Sequence, residues 1–131
     1  MLEISWDGST RAPVVRAGPF ALKFAKNQRG RASNLYEANL YRRSNDARRA
    51  MLCPALWVSP FGLLLIQAAA VPLEEGNMMS IDEYLGMASR WRNAAMDNEP
   101  CPFESKARDW GLFEGRTVAL DYSEPAWAGD D

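Results

Sequence analysis

"PVVRAGPFALKFA", residues 13–25, decides how the rest of the chain is read. Two short apolar runs flank Ala17-Gly18-Pro19, a strong turn signal, so the stretch predicts a β-hairpin. In its second arm the two-residue period of a strand puts Ala21 and Lys23 on one face and Phe20, Leu22 and Phe24 on the other. A lysine inside an apolar strand is the less common choice. Its plain reading is an edge-strand residue whose ammonium stands in solvent and discourages unwanted pairing. The alternative is a lysine that faces a cleft.

Working outward, residues 27–52, "NQRGRASNLYEANLYRRSNDARRAML", carry a helical pattern. Ser33 or Asn34 can cap it, and Leu35, Ala38, Leu40 and Tyr41 fall near one face. Glu37 is then expected in the first turns. Arg42, Arg43, Arg48 and Arg49 make a dense basic end, favourable against the negative pole of a helix C-terminus. Residues 52–72 predict two strands around the turn Ser59-Pro60-Phe61-Gly62, and "VPLEEGNMM" after them reads as a linker. Ser80-Ile81-Asp82-Glu83 is a capping box, with Ser80 as N-cap and Glu83 three residues on. Ile81, Leu85, Ala88 and Trp91 or Arg92 continue at helical spacing to about Ala95. "DNEPCPFESKARD", residues 97–109, is loop, and "WGLFEGRTVALDY", residues 110–122, is a second hairpin turning at Glu114-Gly115. The order hairpin, helix, two strands, helix, loop, hairpin predicts an α+β fold with a largely antiparallel sheet.

Composition narrows the chemistry. A chain of 131 residues suits a single domain, 1–131, with one hydrophobic core. There is no histidine, which removes the Ser-His-Asp triad, the Cys-His dyad, histidine-based zinc sites and any histidine general base. Catalysis would fall to carboxylates, lysine, arginine, hydroxyls and two thiols. Cys53 and Cys101 form no C-x-x-C and no framework, so they read as reduced thiols in a cytoplasm. The N-terminus "MLEISWDGST" lacks the layout of a signal peptide. The longest apolar stretch, "GLLLIQAAAVPL", is too short to span a bilayer, so no membrane partner is expected. Charge is uneven: residues 1–50 hold ten Lys/Arg against four acids, and residues 51–131 five against thirteen. That split suits either a basic surface facing a partner or two halves that attract each other.

These residues in this order resemble the protein kinase-like fold, including the aminoglycoside phosphotransferases. "FALKFAK" looks like the family's third strand, whose phosphate-pairing lysine would be Lys23. "LYEANLY" looks like the following helix, whose glutamate holds that lysine; this would be Glu37. "LLLIQAAAVPLEE" resembles the fifth strand running into the hinge, "ESKARDWGL" the catalytic loop, and "VALDYS" the metal-binding motif. The family separates its catalytic Asp from an Asn by five positions, with the metal-binding Asp about a dozen later. Here Glu104, Asp109 and Asp121 stand five and twelve apart. The resemblance implies a kinase N-lobe-like sheet with one packed helix over residues 1–72, a minimal C-lobe-like helix, loop and hairpin over 73–123, and an acidic tail over 124–131. It implies ATP and magnesium as ligands: Gly8 and Ser9 covering the phosphates, Lys23 and Glu37 gripping them, Asp109 and Asp121 on the metal, and Glu104 and Lys106 in the catalytic loop.

The departures matter equally. Glu104 stands where the family has Asp, Asp109 where it has Asn, and Ser123 where it has Gly. No G-x-G-x-x-G precedes Lys23. About ten residues follow Asp121, where kinases continue with an activation segment and several helices. The expectation is therefore a truncated kinase-like protein, a pseudokinase or minimal nucleotide-binding domain with impaired phosphoryl transfer. The alternative is a non-catalytic interaction module resembling accessory or inhibitor proteins of tailed phages. It would bind a host protein through Arg42, Arg43, Arg48 and Arg49 or through the acidic tail. Nucleic acid is opposed as a partner by a pI of about 5.2 and the acidic C-terminal half.

Overall fold

The computed structural model describes residues 2–6, 11–72, 81–95, 97, 99–103 and 110–122. The fold is α+β. The chain forms two compact units. One holds the residues up to Arg43 together with Pro54–Ala69, and the other holds Ser44–Cys53 and the chain from Ala70 onward. The sequence placed the division after residue 72 and did not separate 44–53 from the first part.

The first unit is a five-stranded antiparallel sheet with one helix packed on it. In chain order it has β1 (Leu2–Ser5), β2 (Arg11–Ala17), β3 (Phe20–Ala25), α1 (Gln28–Arg43), β4 (Ala55–Val58) and β5 (Leu64–Ala68), with spatial order β1-β2-β3-β5-β4. The expected hairpin is β2 and β3, paired from Val14↔Lys23 to Ala17↔Phe20, with Gly18 at φ 58 in the turn. The register shifts between Arg11 and Val14, where Pro13 has no N–H to give the ladder. β3 lies between β2 and β5, so Lys23 is not on an edge strand. Ala21 and Lys23, with Leu65 and Gln67 opposite and beside them, are the buried face. Phe20, Leu22 and Phe24 face the other way and keep partial exposure.

The helix differs from expectation at both ends. It begins at Gln28, capped by Asn27, whose side-chain oxygen accepts from Gly30 N at 2.9 Å. Ser33 and Asn34 are therefore not caps but buried interior positions, and Glu37 lies in the third turn. The buried stripe is Gly30, Ser33, Asn34, Glu37 and Leu40, while Leu35 is exposed. That stripe keeps helical spacing but is mostly polar, so apolar periodicity pointed to a different face. The basic run is also split: α1 ends at Arg43, and Asn45 caps a separate short helix, α2 (Asp46–Arg49), by accepting from Arg48 N at 2.9 Å.

Ser59-Pro60-Phe61-Gly62 makes the turn between β4 and β5 as a single 3-10 turn, Pro60–Gly62. Gly62 has φ 70, and a Cβ there would overlap the Arg31 carbonyl and lie 2.9 Å from Leu35 Cγ. Only glycine gives both that backbone conformation and that close approach to α1.

The second unit holds α2, the strand β6 (Val71–Pro72), α3 (Ile81–Asn93) and the hairpin β7 (Trp110–Phe113) and β8 (Arg116–Ala119). Glu114 and Gly115, at φ 51 and 80, make the two-residue turn with both central residues left-handed. β6 pairs with β7, so the start of the expected linker is a strand; residues 73–80, Ser80 included, lie outside the described residues. Leu52 bridges Ala119 in parallel, with Cys53 N donating to Ala119 O and Ala119 N to Met51 O. The core is aromatic: Phe103 meets Trp91 and Trp110 edge-on at 5.8 and 4.9 Å, and Met87, Val118 and Tyr122 are buried in the same unit. No helix among the described residues is long and apolar enough to cross a membrane.

Candidate functional site

A lysine on a central strand must be answered from the layer packed on its face, because an isolated buried ammonium is costly. Glu37 answers it. Lys23 Nζ donates to Glu37 Oε1 at 3.0 Å, with Lys23 only 7% exposed and Glu37 fully buried. The strand period turns Lys23 toward α1, and the helical period brings Glu37 to the stripe that faces β3. Each partner is thus aimed by its own element, and the pair joins residues fourteen apart in sequence.

A second contact reaches the same lysine. Asn34, one turn before Glu37 on the same stripe, donates its side-chain amide to Lys23 O at 3.1 Å and to Gly62 O at 2.9 Å. Asn34 is fully buried. Gln67 adds another buried amide on the same sheet face, in register with Ala21. The sequence pointed to Lys23 and Glu37 and missed Asn34 and Gln67. For Asn34 a signal existed, since asparagine disfavours helix interiors and here precedes Glu37 by three.

In the second unit Asp121 lies two residues beyond β8, half-buried, between Leu120 and Tyr122, which are both buried. Tyr122 OH donates to Cys53 O at 2.9 Å, which anchors the segment that carries the Asp121 carboxylate. Glu104, Lys106 and Asp109, like Gly8 and Ser9, lie outside the described residues. No group of three or more His, Cys, Asp or Glu able to hold a metal ion occurs among the described residues.

The four arginines do not form one surface group. Arg42 and Arg43 are exposed at the end of α1, with Arg42 Nη2 donating to Asn39 Oδ1 at 2.9 Å, and Arg49 is half-buried. Arg48 corrects the expectation of a partner-binding side chain, because only 3% of it is exposed. Its Nε and Nη2 donate to Trp91 O at 3.0 and 2.9 Å, its guanidinium lies 4.5 Å from the Trp91 ring centroid, and Nη1 pairs with Asp97 at 2.8 Å. Asn45 donates to Ala94 O at 2.7 Å alongside. Together they add side-chain donors at the end of α3, to Trp91 O, which also accepts from Ala94 N at 3.3 Å, and to Ala94 O just beyond it.

Both cysteines are free thiols. Burial pushes the Cys101 thiol above its ordinary pKa, against smaller opposing pulls from the Phe103 backbone and Arg92. Such a thiol is a poor nucleophile.

Comparison with known proteins gives no match from a family model, a curated protein or a solved structure.

Proposed function

We propose that this chain is a kinase-like nucleotide-binding protein in which Lys23, held by Glu37, grips the phosphates of ATP and in which phosphoryl transfer is impaired. The observation that carries the reading is the buried ion pair at 3.0 Å between a central strand and the helix packed on it. The strand count supports it as well. With β1 in place, Lys23 lies on the third strand, Glu37 on the helix that follows, and Leu64–Ala68 is the fifth strand, the positions the resemblance assigns them.

Chemically, phosphate recognition needs a positioned positive charge that can exchange or share its anionic partner with a phosphate oxygen. An ammonium held by one carboxylate on a rigid sheet meets that need. Asp121, a hard anionic oxygen donor on an anchored segment, suits magnesium, with Asp109 as its partner ligand in the sequence motif. The metal's contribution would be to neutralise phosphate charge. Glu104 in place of the usual Asp has a side chain one methylene longer, and Asp109 in place of Asn adds a negative charge to the motif. Both changes disfavour transfer more than binding.

Calorimetric titration with ATP, with and without magnesium, tests this on the full chain and on Lys23→Ala and Asp121→Ala. Magnesium-dependent binding is expected, weakened by about tenfold or more in each variant, the scale of one charge-assisted hydrogen bond. Absence of heat at millimolar nucleotide from folded protein would overturn the reading. It would leave the second one, a binding module of the kind found among phage accessory proteins. That reading is favoured by the face of the sheet turned away from α1. There Leu2, Ile4, Phe20 and Trp57 stay exposed, Leu2 and Phe20 in one cross-strand row with Ala17 between them, Ile4 and Trp57 in the next with Val15, Leu22 and Ile66 between them.

A further inference from the structure

The helix grips Lys23 twice. From one turn of α1, Glu37 takes the side chain and Asn34 takes the backbone carbonyl of the same residue. The second amide hydrogen of Asn34 goes to Gly62 O, in the turn that also packs its bare Cα against the Arg31 carbonyl of α1. Three pieces of chain (β3 at Lys23, the helix, and the β4–β5 turn) therefore meet at one buried amide group. We propose that Asn34 is a positioning residue that keeps the Lys23–Glu37 pair assembled in the absence of any ligand, so that the lysine is presented in a fixed place rather than recruited on binding.

The physical case rests on how an ion pair between a strand and a helix fails. Sliding or lifting the helix by an ångström or two breaks a 3.0 Å contact, and water then competes for both charges. The apolar share of the α1 interface is too small to prevent this, since its buried stripe contains only Leu40 as a large apolar side chain. Packing alone does not fix the helix's register against β3. Two directional bonds from a fully buried side chain do, because breaking them strands the buried amide away from water. Asn34 also acts on the atom set that matters. Holding Lys23 O fixes the Cα from which the ammonium is aimed, so its error does not accumulate along the strand.

This deepens the nucleotide reading, but its test needs no nucleotide, and the two can fail separately. Amine acylation of the native protein, read lysine by lysine by mass spectrometry, compares Lys23 with exposed Lys26 as internal reference. In the unaltered chain Lys23 reacts slowly. Asn34→Ala is expected to raise the Lys23/Lys26 rate ratio about tenfold, the scale of losing two buried hydrogen bonds that close the pair. Leu40→Ala, which weakens the same interface without touching the clamp, should raise it far less at matched stability. An unchanged ratio in folded Asn34→Ala, or an equal rise in Leu40→Ala, overturns the proposal. Where Asn34→Ala does not fold, the unaltered chain decides. The side-chain amide protons of Asn34 should exchange with solvent orders of magnitude more slowly than those of exposed Asn39, and comparable rates would overturn the clamp.

Discussion

Replacing Lys23 by methionine tests the central pair most directly, and the structure sets the size of the effect. Lys23 is 7% exposed and Glu37 is fully buried, so neither charge regains water when the other is removed. Lys23→Met leaves a buried carboxylate without its ammonium, and Glu37→Leu leaves the ammonium without its carboxylate. Each single change should cost about 3–5 kcal/mol, the usual penalty for breaking a buried pair from one side. For a chain of this length that lowers the melting temperature by roughly 10 °C or more. The double change removes both charges and fills similar space with apolar side chains. It should therefore recover most of the loss, and the double variant can be as stable as the original. The assay is urea unfolding of all four proteins, with segment-resolved hydrogen exchange to place the loss in the sheet and α1. Singles within about 0.5 kcal/mol of the parent, or a double that is merely the sum of the singles, would refute the pair as a coupled buried contact.

Two further outcomes follow from the packing of the second unit and the end of α1. Arg48→Ala should destabilise by about 2–4 kcal/mol, because it removes two buried hydrogen bonds to Trp91 O and the guanidinium from the Trp91 ring; Arg42→Ala, at an exposed helix end, should stay within about 0.5 kcal/mol, both read by urea unfolding. For Cys101, a raised pKa means less thiolate at any given pH, so the pH profile of its alkylation should be displaced upward from that of a free thiol. An inflection at or below the ordinary value would contradict the burial described.

The elements that sequence predicted well are those whose signal is local. The β2–β3 turn, the 3-10 turn at Pro60–Gly62 and the Glu114-Gly115 hairpin each depend on residues that can adopt left-handed backbone or fix φ, and those are legible in isolation. What was missed depends on partners distant in sequence. Leu2–Ser5 and Val71–Pro72 are strands because β2 and β7 pair with them, and neither stretch alternates long enough to say so alone. The face of α1 was misread because its buried stripe is polar, and polar burial is set by what the sheet offers: the Lys23 side chain for Glu37, the Lys23 and Gly62 carbonyls for Asn34. Within the candidate site, residue type and order identified Lys23 and Glu37, whereas the misplaced helix start hid Asn34 as a cap. Arg48 erred in the opposite direction, since a run of arginines reads as surface until one of them meets the exposed carbonyls of another helix.

The two buried cations among the described residues serve different needs, and the difference bears on function. Arg48 answers a demand the fold itself creates. A helix that ends inside a unit presents carbonyls at its C-terminal end, and Arg48 with Asn45 donates to two of them there, Trp91 O and Ala94 O. Replace Arg48 and the need remains. The bond between Lys23 and Glu37 satisfies no backbone group; it joins two charged side chains to each other. A methionine and a leucine would fill the same space between β3 and α1 without desolvating two charges, and buried pairs of this kind are commonly neutral or unfavourable against such substitutes. Stability therefore gives no reason for a lysine at 23 or a glutamate at 37. On the nucleotide-binding reading we propose, a fixed ammonium on the inner face of a sheet would be kept for an anionic ligand, the partner that an ammonium so placed can hold.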